Sequence, residues 1–140
     1  MVSFTNELTV DEFNALRYAV GWKTMEQEKA VEVLGKSVFT TVARIDNRAI
    51  GMGRVISANS FEASIFDVAV EPELQGQGIG GQIMNQIMNY LEASLDKNQL
   101  MMVNLLAAQG KEGFYRKYGF VEKPMEGKGI GMIKYIQRIG

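Results

Sequence analysis

The stretch Glu71-Pro-Glu-Leu-Gln-Gly-Gln-Gly-Ile-Gly-Gly81 decides how this 140-residue chain is interpreted. Residues 61–70 before it have the composition of a strand, and the residues after it repeat with helical periodicity. Glycines at such a junction let the backbone adopt positive φ and approach a ligand closely. The first N–H groups of the helix lack partners within the helix and, with the helix dipole, attract anions. The stretch therefore predicts a phosphate or pyrophosphate site.

The chain upstream of this stretch changes from helical to strand patterns. After a short strand near residues 2–4, two helices are each predicted to begin with a capping box, Thr9 with Glu12 and Thr24 with Gln27. Three strands then follow, joined by short turns into an antiparallel meander, at residues 37–45, 49–56 and 61–70.

The chain downstream begins with the clearest helix, whose apolar face carries Ile83, Ile87 and Leu91. The next strand, residues 100–108, is predicted to be buried and parallel to the last strand of the meander. A short helix at residues 111–118 and two last strands, near residues 120–123 and 130–139, complete the order β-α-α-β-β-β-α-β-α-β-β.

This order predicts an α/β (α+β) fold in a single domain over residues 1–140. Helices would pack on a mixed, mostly antiparallel sheet of about six to seven strands. The length is sufficient for one hydrophobic core without disulfides or a structural metal.

Composition excludes several classes of function. The 15 Lys and Arg against 16 Asp and Glu leave no basic excess for a nucleic-acid interface. The absence of Cys and His excludes thiolate zinc sites, cysteine nucleophiles, Ser-His-Asp chemistry and imidazole ligation, so no metal is predicted. No apolar run is long enough to span a membrane, and the first residues do not resemble a signal peptide. The expected location is therefore cytoplasmic.

Two familiar phosphate-binding loops do not fit. Gly76, Gly78 and Gly81 match G-x-G-x-x-G, but the next strand lacks the acidic residue that holds a dinucleotide ribose. No G-K-[ST] follows the glycines, so a Walker loop is excluded. A nucleotide-dependent oxidoreductase is therefore disfavoured.

A different spacing, Gln75-x-x-Gly78-x-Gly80, resembles the Q/R-x-x-G-x-G/A motif of the GNAT acetyltransferase superfamily. The segment from Asp67 to Pro72 looks like the family's fourth strand, and Gly113-Phe-Tyr-Arg-Lys-Tyr-Gly-Phe120 is similar to its F-Y-x-K-x-G-F segment. The element order also agrees with the family fold along essentially the whole chain. The resemblance implies transfer of acetyl from acetyl-CoA to a primary amine, by direct attack in a ternary complex.

The resemblance also implies roles for individual residues. Tyr115 would protonate the CoA thiolate as general acid, and a backbone N–H of the fourth strand would polarise the thioester carbonyl. The family's CoA-contacting Asn is replaced by Ala108, with Asn104 or Gln109 as substitutes. The predicted cofactor-binding residues are Val68, Ala69, Val70, Gln75, Gly76, Gln77, Gly78, Ile79, Gly80, Gly81, Asn104 and Tyr115.

Several alternatives stay open. Asp67, Glu71 and Glu62 are candidates for the general base. Asp67 is preferred because its strand is expected to border the cleft that holds the acceptor amine. Asp67 could equally hold the substrate ammonium or bond Arg54. Trp22 is predicted to contact the acceptor, a small-molecule or peptide amine whose identity the sequence does not select. Homodimerisation, and a non-catalytic acyl-CoA-binding module on the same fold, are further alternatives.

Overall fold

The computed structural model describes residues 1–122, 126–127, 129, 131–132 and 134–138, in two compact units. The first unit, Met1–Leu106, contains eight elements: β1 (Ser3–Thr5), α1 (Val10–Ala19), α2 (Gln27–Gly35), β2 (Phe39–Ile45), β3 (Arg48–Ile56), β4 (Glu62–Val70), α3 (Ile79–Ala93) and β5 (Met102–Leu105). A short 3₁₀ turn, Pro72–Leu74, lies between β4 and α3. The second unit, Ala107–Gly140, contains α4 (Glu112–Arg116). That the whole chain forms one domain stays a prediction.

The five strands form one sheet in the order β1-β2-β3-β4-β5. All neighbours are antiparallel except β4 and β5, which run parallel. The predicted meander, the parallel crossover through α3 and the mixed α/β class are therefore confirmed. The strand count is lower than predicted, because the expected last strands are not found at residues 120–122, 131–132 and 134–138; their other residues lie outside the described part.

Glycines in β3 decide how closely α3 packs against the sheet. A Cβ on Gly53 would lie 2.9 Å from Ile83 Cγ2 and 2.9 Å from Ile87 Cδ1, and one on Gly51 would lie 3.0 Å from Ile83 Cδ1. Side chains alternate along a strand, so Met52 points to the opposite face. There it is buried with residues of α1, α2 and β4, namely Phe13, Leu16, Ala30 and Ala69. The sheet therefore lies between α3 on one face and α1 and α2 on the other.

One of the two predicted capping boxes forms. The Glu12 N–H donates to Thr9 Oγ1 at 3.1 Å, and the Thr9 N–H donates to Glu12 Oε1 at 3.0 Å. The prediction of a capping box at Thr24 is wrong, because α2 begins at Gln27 and has no side-chain cap. The Asn14 amide instead bonds both backbone groups of Met25, at 2.8 and 2.9 Å, so residue 25 is held by α1 rather than by a helical turn.

The strand predicted over residues 100–108 is shorter and more exposed than expected. It covers Met102–Leu105, and Leu100, Met102 and Leu106 have 87%, 51% and 80% of their surfaces exposed. The apolar run therefore led to a wrong prediction of a buried strand, where the structure has a short edge strand.

Neither a membrane-spanning helix nor a cluster of metal-binding side chains is found among the described residues. No described helix has the length and apolar character needed to cross a membrane. The described residues also contain no group of three or more acidic, His or Cys side chains arranged to hold a metal ion.

Candidate functional site

The glycine loop connects the end of β4 to the start of α3. Gly76 and Gly78 have φ of +81° and +84°, the left-handed region that favours glycine. Within the described part of the chain, and apart from the adjoining residues, no atom lies within 4 Å of the position that a Cβ would occupy on either residue. The bare backbone of both residues therefore borders open space, in which a ligand could approach it.

The start of α3 adds donors to this loop. Gly78 is the N-cap, so no side chain caps the helix, and the first turn contains no acidic residue. Gly80 and Gly81 follow within that turn, while the buried Ile79 anchors the helix to the unit. The uncapped N–H groups and the helix dipole make this end a site for an anion such as a pyrophosphate.

Gln75, the first residue of the motif, fixes the loop rather than pointing away from the protein. Its Nε2 donates to the Val70 carbonyl at 3.0 Å, which joins the loop to the last residue of β4. Gln77, between the two left-handed glycines, is exposed. The Gln75 side chain therefore links the loop to the end of β4, and Gln77 borders the open side of the loop.

The sheet opens beside this loop. β4 and β5 pair only from Glu62 with Met102 to Ile65 with Leu105, whereas β4 continues to Val70. The last five residues of β4 therefore extend beyond the paired part of β5. Between the paired parts of the strands, the Ser64 hydroxyl donates to Asn104 Oδ1 at 2.7 Å.

Backbone alternation identifies a donor on the open side of β4. The Glu71 N–H donates to the Ile50 carbonyl in β3 at 2.9 Å. Successive residues direct their backbone groups to opposite sides of a strand, so the Val70 N–H and carbonyl face away from β3. The bond that Gln75 donates to the Val70 carbonyl agrees with this direction. The Val70 N–H thus faces the side that β5 leaves open.

Asp67 lies at an irregularity in β4. Met52 pairs with Ala69 and Arg54 pairs with Phe66, so Asp67 and Val68 together oppose Gly53 in a β-bulge. Asp67 has φ of +56°. Its Oδ1 accepts from Arg17 Nη1 at 2.7 Å, and its Oδ2 accepts from Arg54 Nε at 2.6 Å. The bond to Arg54 is one of the alternatives that the sequence left open; the general-base role stays a prediction.

The other base candidates have different surroundings. Glu71 Oε1 forms an ion pair with Arg48, and Glu71 Oε2 is buried without a hydrogen-bond partner among the described residues. Glu62 is exposed at the start of β4. Neither carboxylate is brought to the bulge beside Asp67.

Trp22 is half-buried and packs against the core cluster on the α1 face of the sheet. Its ring lies 5.6 Å from the Arg17 guanidinium carbon, which is also 5.6 Å from the Phe13 ring. Arg17 Nε donates to the Lys23 carbonyl at 2.7 Å. Trp22 therefore lies in the same cluster as the Asp67 ion pairs, and its contact with the acceptor stays a prediction.

Sequence reasoning did not identify Arg17. The available signal was its position four residues after the buried Phe13, which places a cation on the core-facing side of α1. A charge at such a position requires a buried partner, and the nearest acidic residues in sequence did not suggest Asp67, which is 50 residues away.

Tyr115 lies in α4, within the second unit. Its ring meets Phe114 edge-on at 5.0 Å and Phe120 edge-on at 6.2 Å between ring centroids. Burial raises the pKa of the Tyr115 phenol above its ordinary value of 10.0. The hydroxyl is therefore protonated at neutral pH, as a proton donor must be.

The comparisons with known proteins agree with this geometry. A family model for an acetyltransferase (GNAT) domain matches residues 36–122, which include β2 to α4. An uncharacterized N-acetyltransferase, ycf52, from Porphyra purpurea is 30% identical over 133 residues, covering 92% of this chain and 74% of that protein.

Solved structures give the same result. A Staphylococcus aureus protein of unknown function, described as a probable acetyltransferase, is 32% identical with a TM-score of 0.83, covering 96% of this chain and 100% of that one. N-acetylglutamate synthase from Neisseria gonorrhoeae, solved with coenzyme A and L-arginine, shares the fold at a TM-score of 0.67 and 15% identity, covering 86% of this chain and 27% of that one. These matches confirm the resemblance that the glycine motif predicted. The chain belongs to the GNAT family of acetyltransferases, and its reaction class is acyl transfer.

Proposed function

We propose that the protein transfers acetyl from acetyl-CoA to a primary amine by direct attack of the amine on the thioester. The observation that carries this proposal is the pair of left-handed glycines, Gly76 and Gly78, which open the backbone at the uncapped start of α3. This site suits a pyrophosphate because its donors are backbone N–H groups reinforced by a helix dipole. Acetyl-CoA, when bound, supplies the acetyl thioester.

The groups proposed to bind and polarise acetyl-CoA lie in β4 and in the glycine loop. The N–H groups of residues 76–81 would hold the pyrophosphate, with Gln75 keeping the loop in place. The Val70 N–H, on the open side of β4, would donate to the thioester carbonyl. A preoriented donor of this kind lowers the barrier by about 3 kcal/mol. The proposed polarising group is therefore a backbone N–H, which among the standard residues only proline would remove.

Tyr115 would donate its phenolic proton to the leaving thiolate. Support comes from the Phe-Tyr-Arg-Lys-Tyr-Gly-Phe motif, and the half-buried phenol, whose pKa is raised by burial, has its proton at neutral pH. Without Cys in the chain, an acyl-cysteine intermediate has no residue on which to form. Direct transfer is therefore the route proposed.

Calorimetric titration with acetyl-CoA, with NADH and ATP as controls, tests the cofactor. A matched pair of variants, Gly78→Ala and Gly21→Ala, locates the site. Both glycines have φ of +84°, and at both positions a Cβ would meet no atom of the described residues within 4 Å, apart from the adjoining residues. Both should lose about 1–2 kcal/mol of stability, because alanine is strained in the left-handed region. Only Gly78→Ala should weaken acetyl-CoA binding, by about 10- to 100-fold, since its methyl group blocks the approach of a charged acceptor to backbone donors.

Two results would contradict the proposal. If the wild-type protein binds no acetyl-CoA, the transferase mechanism fails and the glycine loop is a structural turn. If Gly21→Ala weakens binding as much as Gly78→Ala does, the loss reflects stability and the loop is not the site.

A further inference from the structure

The bulge in β4 contains a residue whose conformation needs an explanation. The backbone of Asp67 has φ of +56°. Residues with a Cβ rarely adopt this conformation, although Asp and Asn tolerate it better than the others. Such a conformation persists only where the surroundings impose it. The bulge lies two residues before the Val70 N–H on the open side of the strand. Whatever holds Asp67 therefore also sets the direction of that donor.

Two arginines from separate elements hold the Asp67 carboxylate. Arg17 comes from α1 and Arg54 from β3, and each bonds a different carboxylate oxygen. The side chains of Asp67, Arg54 and Arg17 are only 9%, 8% and 15% exposed. Charge-assisted hydrogen bonds that are shielded from water are stronger than exposed ones. The carboxylate is thus a buried bridge between a helix and the neighbouring strand.

Both arginines are themselves fixed. Arg17 lies between the Phe13 and Trp22 rings and bonds the Lys23 carbonyl. The guanidinium carbon of Arg54 lies 5.2 Å from the centroid of the Phe66 ring. A planar guanidinium that is stacked and hydrogen-bonded cannot follow a moving carboxylate freely. The cluster therefore limits the movement of Asp67 from two sides.

These contacts argue against proton abstraction by Asp67. To accept a proton from an amine, the carboxylate would have to give up a buried ion pair and leave a guanidinium without its partner. In a regular strand Asp67 and Phe66 would point to opposite faces, but the bulge turns Asp67 toward the arginines of the α1 face. Both Asp67 carboxylate oxygens are thus engaged in bonds that hold the bulge, instead of facing a substrate amine.

We propose that Asp67 is a positioning residue whose ion pairs with Arg17 and Arg54 fix the β4 bulge, so that the backbone N–H of Val70 is aligned toward the acetyl group. This role replaces the general-base role predicted from the sequence. It rests on the proposed use of acetyl-CoA. A fixed bulge should favour acetyl-CoA over CoA, because only acetyl-CoA has the thioester carbonyl that the Val70 N–H would bind.

The test measures the dissociation constants of acetyl-CoA and of CoA by calorimetry, and their ratio is the readout. We expect the wild-type protein to prefer acetyl-CoA by about 3- to 10-fold, the contribution of one or a few net hydrogen bonds. Asp67→Gly keeps the left-handed conformation and removes both ion pairs. The two dissociation constants should therefore become about equal. Asp67→Asn keeps an acceptor oxygen but no charge, so its preference should be intermediate. The affinity for CoA itself should change by less than about twofold, because the glycine loop is intact.

Glu12→Gln is the matched control. Glu12, in α1, is likewise a carboxylate paired with a sheet arginine, Arg44 of β2, at 2.6 Å, but this pair is not at the bulge. It should lower stability and leave the ratio unchanged. Thermal unfolding of each variant checks folding, and Asp67→Asn carries the test if Asp67→Gly does not fold.

The contrary results are distinct. An unchanged ratio in Asp67→Asn and Asp67→Gly, or no preference in the wild-type protein, overturns the positioning role while leaving acetyl-CoA binding intact. An equal fall in Glu12→Gln overturns it too, because general loosening would then explain the effect. Failure of the wild-type protein to bind either compound contradicts the proposed function instead.

Discussion

At the scale of single residues, Tyr115 gives the sharpest test of chemistry. Tyr115→Phe removes the phenolic proton and keeps the ring that packs edge-on against Phe114 and Phe120. If Tyr115 protonates the thiolate, turnover should fall by about 10²- to 10⁴-fold, while the dissociation constant of acetyl-CoA stays the same. Thiol release from acetyl-CoA with a panel of primary amines measures the first quantity, and calorimetry measures the second.

Tyr118→Phe is the matched control for that experiment. Tyr118 also packs against Phe114, at 5.6 Å between ring centroids, and its substitution likewise removes one phenolic hydroxyl. It should leave turnover within about twofold, since conservative changes away from the reacting atoms have small effects. Equal rates for Tyr115→Phe and the wild-type protein would show that the thiolate leaves without this acid.

At the scale of elements, the packing of α3 on β3 depends on a missing side chain. A Cβ on Gly53 would lie 2.9 Å from atoms of both Ile83 and Ile87, closer than real contacts allow. Gly53→Ala should therefore lower the free energy of unfolding by about 1–3 kcal/mol through overpacking. The start of α3 lies in the glycine loop, so a displaced helix should also weaken acetyl-CoA binding. Urea unfolding and calorimetry measure the two effects.

Gly35→Ala separates this packing effect from the general effect of replacing glycine. Gly35 is the last residue of α2, and nothing lies within 4 Å of its Cβ position. Alanine there should raise stability by about 0.4–1 kcal/mol, because it restricts the unfolded chain and favours the helix. If Gly53→Ala is as stable as the wild-type protein, α3 does not require the close approach inferred from the structure.

At the scale of the whole molecule, acidic and basic residues almost balance, so pH affects stability mainly through specific pairs. Arg44 donates to the Glu12 carboxylate and lowers the pKa of Glu12 from 4.5 to about 2. Because the folded value lies below the unfolded one, the pair stabilises the folded state above about pH 4.5. This stabilisation is lost as the pH falls from about 4.5 toward 2. Stability measured by urea unfolding should therefore decrease across this range.

Glu12→Gln should make the decrease with pH shallower, because the variant has no carboxylate to protonate at this position. Asp11→Asn removes a neighbouring charge in the first turn of α1 without touching the Arg44 pair, and should leave the slope almost unchanged. Parallel slopes for Glu12→Gln and the wild-type protein would mean that other carboxylates control the acid response.

Local sequence patterns correctly predicted much of this fold. The capping box at Thr9, the helix that follows the glycine loop, the meander and the glycine motif each depend on residues close together in the chain. Errors arose where a distant contact was decisive. The Thr24 capping box does not form, because Asn14 of α1 already occupies the backbone N–H and carbonyl of Met25. The strand after α3 was expected to be buried because an apolar run alone does not distinguish an outer strand from a central one.

The sequence by itself determined the family, the glycine loop before α3 and the order of the elements from β1 to α4, because short-range spacing encodes all three. The tertiary structure alone decided which groups meet at the bulge in β4. Arg17, Arg54 and Asp67 are separated by up to 50 residues, and their alignment requires the β3–β4 register and a left-handed Asp67. Burial then makes two guanidinium groups the partners of one carboxylate, since an unpaired buried charge is costly. The sequence indicated the bond between Asp67 and Arg54 only as one alternative, and it did not indicate Arg17 as the second partner.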